Sequence, residues 1–307
     1  MIEPYFEMDL NYIPRYKKII YENEKMIVYE DGSIYHKDNR LNNLTNKEWM
    51  KFTKSWFILE TRKKRDMDIL QHPATFPDEL ALEFIKFFTK EGQMVLDPMV
   101  GVGSTLVACV ETGRNGIGID LNEKYAKIAK KRLLKYNTNP LWPDIAKKVH
   151  ITYYVADAFD IDKLNLPPID YCITSPPYWD VLREKGLEKQ KKRKEMGLDT
   201  YYSDDPRDLG NISDYNEFLD KLTEIFKKVY DVLKPGVYMT VIVKNIKKKE
   251  KKYPLAWDLA SKLSTFFALK DEKIWCLNEE KLRPYGYKYA WSSNTIHHYC
   301  LNFRKET

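Results

Sequence analysis

LDPMVGVGST, residues 96–105, sets Gly101 and Gly103 between an apolar run that ends in an acid, MVLD (94–97), and a stretch of helical spacing over 104–112. Glycine in such a turn lets the backbone reverse sharply and lets a ligand approach it closely. A GxG also suits an ordinary strand-to-helix turn, so its meaning depends on what surrounds it. The next apolar strand, GIGID (116–120), ends in Asp120, 23 residues after Asp97, and ITYYVA (151–156) is followed at once by Asp157. Acids at successive strand ends line the rim where doubly wound sheets bind ligands, and the second of them is placed to accept hydrogen bonds from a ribose diol.

Working outward, helices are predicted over 78–90, 104–112, 122–135, 214–233 and 255–267. Strands are predicted at 94–97, 116–120, 151–156, 170–174 and 237–243, and near 269–276 and 295–303. The helix from Asp214 carries the clearest face: Tyr215, Phe218, Leu219, Leu222, Ile225, Phe226, Val229, Tyr230 and Leu233 recur at helical spacing until Pro235-Gly236 ends it. Alternating helices and strands of this kind build a parallel sheet covered on both faces. The expected architecture is α/β: a Rossmann-like, doubly wound, seven-stranded and mostly parallel sheet over 71–307. Residues 1–70 read as an accessory region with a hairpin across Asp31-Gly32 and a helix opened by a Thr45/Glu48 capping box. One segment, 181–213, breaks the rhythm with much charge and little periodicity, at a length where loops are functional or disordered.

The acidic rim selects among ligands. No GxxxxGK[ST] lysine is present, and carboxylates repel a pyrophosphate. A cationic nucleoside suits the rim better than NAD: S-adenosylmethionine carries an amino group, a sulfonium and a ribose, each of which carboxylates can hold. Composition agrees with a folded, heavily charged chain of 307 residues, 43% hydrophobic and 31% charged. No run approaches the roughly 20 apolar residues of a membrane span. The acidic start MIEPYFEMDL is unlike a signal peptide, so a cytoplasmic location is expected. Cys109, Cys172, Cys276 and Cys300 form no CxxC pair and read as core residues rather than as metal ligands or disulfides. His297 and His298, adjacent on a strand, point to opposite faces and read as structural. Basic runs at 61–65, 189–194 and 244–252, with a net charge of +6, point to a polyanion.

TSPPYWD (174–180) ends the apolar run YCI in the sequence least able to continue a strand. Proline fixes φ, lacks an N–H and holds the preceding residue extended. Ser175-Pro176-Pro177 is therefore a stiff corner of acceptors, with Tyr178 and Trp179 behind it as flat surfaces. An exocyclic base amine, gripped through both hydrogens and stacked on an aromatic ring, would be held in line with a methyl donor there.

TSPPYW, with LDPMVGVGST upstream, HPATFP (72–77) before it, and VADAFD, LKPG (233–236) and TIHHYCLNFRK following in order, resembles the amino-methylating DNA methyltransferases that modify cytosine N4 or adenine N6. The resemblance covers about residues 71–305 and implies the class I methyltransferase fold with S-adenosylmethionine as cofactor. By position it implies that Ser175, Pro176, Pro177 and Tyr178 are catalytic. It further implies that Asp97, Pro98, Gly101, Gly103 and Ser104 form the methionine-side loop, Asp120 and Leu121 hold the ribose, Asp157 and Ala158 hold the adenine, and Thr75 and Phe76 close over the cofactor. Met99 stands where the family usually has Phe, Ser104 where Thr is common, and Val237 where a second Gly is frequent. Serine at the first motif position implies N4 of cytosine; the alternatives are N6 of adenine, an RNA substrate, or an idle nucleic-acid binder of the same fold. Methylation at cytosine C5 would need a nucleophilic cysteine, usually after a proline, and none of the four follows one. Double-stranded DNA is the expected partner, contacted through the 181–213 segment by Lys191, Lys192 and Arg193, with a restriction endonuclease as a further partner.

Overall fold

Side chains alternate across a strand, and in MVLD this sends Val95 into one buried apolar layer and Leu96 into the other. The same division runs through IDYCIT, where Cys172 joins the layer of Leu96 while Tyr171 and Ile173 join that of Val95. The computed structural model describes residues 2–59, 67–137, 146–179, 188–248, 251–278, 282, 284, 288–289 and 293–306. In chain order the strands are β1 (Phe6–Tyr12), β2 (Ile19–Glu22), β3 (Met26–Tyr29), β4 (Ile34–His36), β5 (Trp56–Ile58), β6 (Met94–Asp97), β7 (Asn115–Asp120), β8 (Lys147–Val155), β9 (Ile169–Thr174), β10 (Leu233–Val243), β11 (Ile246–Lys248), β12 (Lys251–Tyr253), β13 (Ala268–Cys276) and β14 (His297–Arg304). The helices are α1 (Asn46–Phe52), α2 (Met67–Leu70), α3 (Asp78–Phe88), α4 (Ser104–Thr112), α5 (Glu123–Leu134), α6 (Glu188–Glu195), α7 (Tyr215–Val232) and α8 (Leu255–Leu263).

The main sheet has nine strands in the order β1-β8-β7-β6-β9-β10-β14-β13-β5. β8, β7, β6, β9 and β10 run parallel, and β14 lies antiparallel between β10 and β13. Helices α3, α4 and α5 bury apolar residues in one layer, and α7 and α8 in the other. The seven expected strands are all present. Two more come from the N-terminal region: β1 pairs with β8, and β5 with β13. In β1 the exposed or half-exposed residues between Phe6 and Leu10 hide a period-two pattern, in which those two side chains alone are buried. The accessory elements are present as well, with β3 and β4 pairing around Asp31-Gly32 and Thr45 and Glu48 capping α1 reciprocally.

Two expectations are corrected. Pro235-Gly236 does not end the preceding helix; α7 stops at Val232, β10 starts at Leu233, and the two residues lie in a register shift between Leu233 and Tyr238. The 181–213 segment is not without regular structure, since it holds α6 and a short 3₁₀ turn over Leu209–Asn211, while 180–187 lie outside the described residues. None of the described helices is long and apolar enough to cross a membrane.

Gly103, at the N-cap of α4, has φ +83°, and a Cβ there would lie 2.9 Å from the Cβ of Ala129 on α5. Gly103→Ala should therefore combine left-handed strain with a helix–helix clash and lower stability by about 2–3 kcal/mol. A urea unfolding midpoint equal to that of the parent chain would contradict this.

Candidate active site at the strand C-termini

Between β6 and β9 the order of strands reverses, which opens a crevice at their carboxyl ends. A cavity occupies it. Its wall includes Thr75, Phe76, Pro98, Gly101, Ser104, Asp120, Leu121, Asp157, Ala158, Ser175 and Pro177, so residues far apart in sequence meet around one space.

Four expected members, Asp97, Gly103, Pro176 and Tyr178, are not part of the wall. Asp97 is fully buried; its Oδ2 accepts from Thr105 Oγ1 at 2.5 Å and its Oδ1 from the Met99 N–H at 3.1 Å, and burial pushes its pKa up to about 6. It braces the turn from beneath. Gly103 packs against α5 and does not face the cavity. Asp120 does line it: Oδ2 accepts from the Gly101 N–H and Oδ1 from the Asn122 N–H, both at 2.9 Å. A carboxylate has about four lone-pair positions, so two remain for a ligand. Burial raises the Asp120 pKa to about 7 against the lowering effect of those N–H groups, although part of the side chain stays open to the cavity. Asp157 opens a 3₁₀ turn, accepting from the Phe159 N–H at 2.9 Å. Ser104, 5% exposed, begins α4, and among the described residues its Oγ has no hydrogen-bond partner.

The wall also contains His72, from the expected 72–77 segment, and residues that the sequence reading missed: Tyr125, Tyr202, Arg207 and Asp208. Burial holds the His72 pKa down at about 3, so the ring is neutral; Nδ1 accepts from the Ala74 N–H at 3.3 Å, which leaves the proton on Nε2. The ring meets Tyr125 edge-on at 4.5 Å. Gly101, at φ +51°, lets this segment close in, because a Cβ there would lie 3.0 Å from His72 Nε2. Tyr202 belongs to the long charged segment, and its carbonyl accepts from Asn122 Nδ2 at 3.2 Å and Tyr125 Oη at 3.3 Å. Lys124 pairs with Asp199 at 2.7 Å. Together these contacts fold residues 199–209 across the cavity. A loop of unusual length beside the SPPY motif was the one sequence signal for them.

Arg193 is held by contacts within the chain. Its Nε donates to the Asp199 carbonyl at 2.6 Å and a terminal nitrogen to the carbonyls of Leu70 and Gln71 at 2.7 and 3.1 Å, so it clasps this loop to the segment before His72 rather than facing outward. Lys191 is exposed, while the Lys192 side chain lies outside the described residues.

At the double-proline corner, Ser175 and Pro177 line the cavity and Pro176 is buried beside them. The Tyr178 N–H points to Tyr202 Oη at 3.4 Å, and its hydroxyl lies 3.0 Å from Nε2 of His298, whose ring stacks on Trp275 at 4.8 Å. Burial raises the Tyr178 phenol pKa. Trp179 is not an open flat surface: it is 3% exposed and packs edge-on against Tyr215 and Tyr253, where apolar contact outweighs exposure at the rim.

A mostly parallel sheet with helices on both faces and a cavity at its switch point defines a doubly wound α/β protein of the Rossmann-like class. Residues 5–131 match the N6/N4 family described as DNA methylase. It is 35% identical over 104 residues to the orphan methyltransferase M.BamHII of Bacillus amyloliquefaciens, which covers 33% of this chain and 37% of that one. It is 48% identical over 63 residues to the type II methyltransferase M2.DpnII of Streptococcus pneumoniae, covering 20% and 24% respectively. It is 32% identical over 145 residues to the type II methyltransferase M.MjaII of Methanocaldococcus jannaschii, covering 44% and 27%. The chain thus spans about a quarter to a third of the length of these relatives. Among solved structures, TrmN of Thermus thermophilus aligns with 74% of this chain and 48% of its own at 14% identity and a TM-score of 0.43.

Proposed function

We propose that the chain transfers a methyl group from S-adenosylmethionine to an exocyclic amine of duplex DNA, and that the amine is N4 of a flipped cytosine. One observation carries this reading: Ser175 and Pro177 share a cavity with Gly101, Ser104, Asp120 and Asp157. The residues suit the cofactor. Asp120 retains acceptor positions for a ribose diol, the partnerless Ser104 Oγ at the start of α4 suits the methionine carboxylate, and Asp157 and Ala158 stand where an adenine would end. When bound, S-adenosylmethionine supplies a methyl group activated by a sulfonium.

The chain's own residues do the rest. Ser175 Oγ and the neighbouring main-chain carbonyl accept hydrogens from the amine, while Pro176 and Pro177, having no N–H, put no competing donor at the corner. A corner whose prolines bring no N–H, in which the Ser175 hydroxyl is the one side-chain donor, favours an amine over a carbonyl oxygen. Tyr178, held through its hydroxyl by His298, offers the base a face, and flipping follows because a paired amine cannot reach a recessed rim. With a methyl group that the cofactor would supply, the amine's surplus proton would leave to solvent past Ser175 Oγ, which can accept a hydrogen bond but is too weak a base to keep the proton. No covalent bond to the protein forms. Serine at position 175 supports cytosine over adenine, and the type II relatives suggest a restriction–modification setting with a cognate endonuclease. Expression in a methylation-free host, followed by nucleoside mass spectrometry of its DNA, tests the assignment: N4-methylcytosine is expected, N6-methyladenine would move it to the other base, and unmodified DNA would overturn it.

The pKa of Asp120 adds a pH dependence. It is raised to about 7 from an ordinary carboxyl value of 3.8, and the ionised form is the better acceptor for a diol. Affinity for 5′-methylthioadenosine, which has the ribose but no titrating amine, should weaken about tenfold from pH 8 to pH 6. Calorimetric titration should show that slope in the parent chain and none in Asp120→Asn; a flat parent profile would refute the role.

A further inference from the structure

β11 and β12 form a two-stranded ribbon leaving the same rim as the double-proline corner. Its register sets Lys247 opposite Lys252 and Lys248 opposite Lys251, with Ile246 opposite Tyr253 at the root. Like charges placed directly opposite destabilise a strand pair, and a two-stranded ribbon is marginal to begin with. The root holds it. Ile246 is 5% exposed, Tyr253 packs on Trp179 at 4.6 Å and Tyr215 at 5.0 Å, and Asn245 Oδ1 accepts from the Ala256 N–H at 2.9 Å. Lys248 lies over the Trp179 ring at 4.3 Å, and alternation turns the exposed Lys247 and Lys252 to the opposite face. His297 senses the same field: burial first, then Lys244 and Lys252, hold its pKa below the usual range.

A ribbon with lysine facing lysine on successive rungs gains most from an anion with regularly spaced charges. Since Trp179 follows the catalytic corner and seats the ribbon root, charge bound there is held at a fixed offset from Ser175. We propose that the β11–β12 ribbon grips the phosphate backbone of duplex DNA beside the base delivered to Ser175, an assignment that rests on the DNA methyltransferase reading above. It moves the expected phosphate contact away from Arg193, which clasps the loop over the cavity.

The test compares the parent chain with Lys247→Gln/Lys252→Gln by fluorescence anisotropy on a 30-base-pair duplex DNA over a salt series. Binding of S-adenosylmethionine is measured beside it. Losing two phosphate contacts should reduce the slope of log K against log salt by about 2 and weaken DNA binding about tenfold or more at moderate salt, with cofactor affinity unchanged. An unchanged slope would overturn the ribbon assignment while leaving the methyltransferase reading intact. A parent chain that binds the cofactor and yet ignores duplex DNA, or prefers duplex RNA, would overturn the DNA reading itself, and the ribbon with it.

Discussion

Asp120→Ala should bind S-adenosylmethionine at least about 100-fold more weakly than the parent chain. The carboxylate does two things at once: it receives the N–H groups of Gly101 and Asn122, and it keeps acceptor positions toward the cavity. Truncation removes the acceptors and strands two N–H groups, each of which costs about 1–3 kcal/mol if left unpaired. A pair of lost charge-assisted hydrogen bonds to a diol accounts for a hundredfold on its own. Calorimetric titration reads the affinity, and circular dichroism confirms that the sheet persists. An affinity within threefold of the parent would remove Asp120 from the cofactor site.

Ser175→Ala should show the opposite split. Ser175 lines the same cavity as the turn at Gly101, so on the proposed reading its loss should leave cofactor binding within about twofold while lowering turnover about 100-fold, a typical loss for one group acting on a transferred proton. Single-turnover transfer of tritiated methyl to a duplex substrate reads this. Turnover within threefold of the parent would leave the corner with a shaping role only.

The sheet was legible because its strands are short apolar runs closed by glycine, proline or acid, and because α7 carries a face too regular to misread. At the site, the expected residues that the structure brings to one cavity are those placed by backbone geometry at a strand end: Gly101, Asp120, Asp157, Ser175. Those missed act through tertiary contact. Tyr202 reaches Tyr178 and Asn122 from a segment with no periodicity, and His298 meets the Tyr178 hydroxyl from a strand 120 residues further on. Asp97 and Arg193 show the converse case. Residue type pointed one to the ligand and the other to DNA, but local hydrogen bonds use Asp97 beneath the turn and Arg193 across the loop.

β1 and β5, from the first sixty residues, sit on opposite flanks of the sheet, and each pairs with a strand encoded far downstream. On the ribosome these two strands emerge before the strands they pair with. β5 waits for residues 274–276, so a nascent polypeptide must keep Trp56 and its neighbours from mispairing until those residues have been made. Such distant pairing predicts slow, late completion of the native state. An N-terminal fusion partner that hinders these two strands would bare both borders of the sheet together.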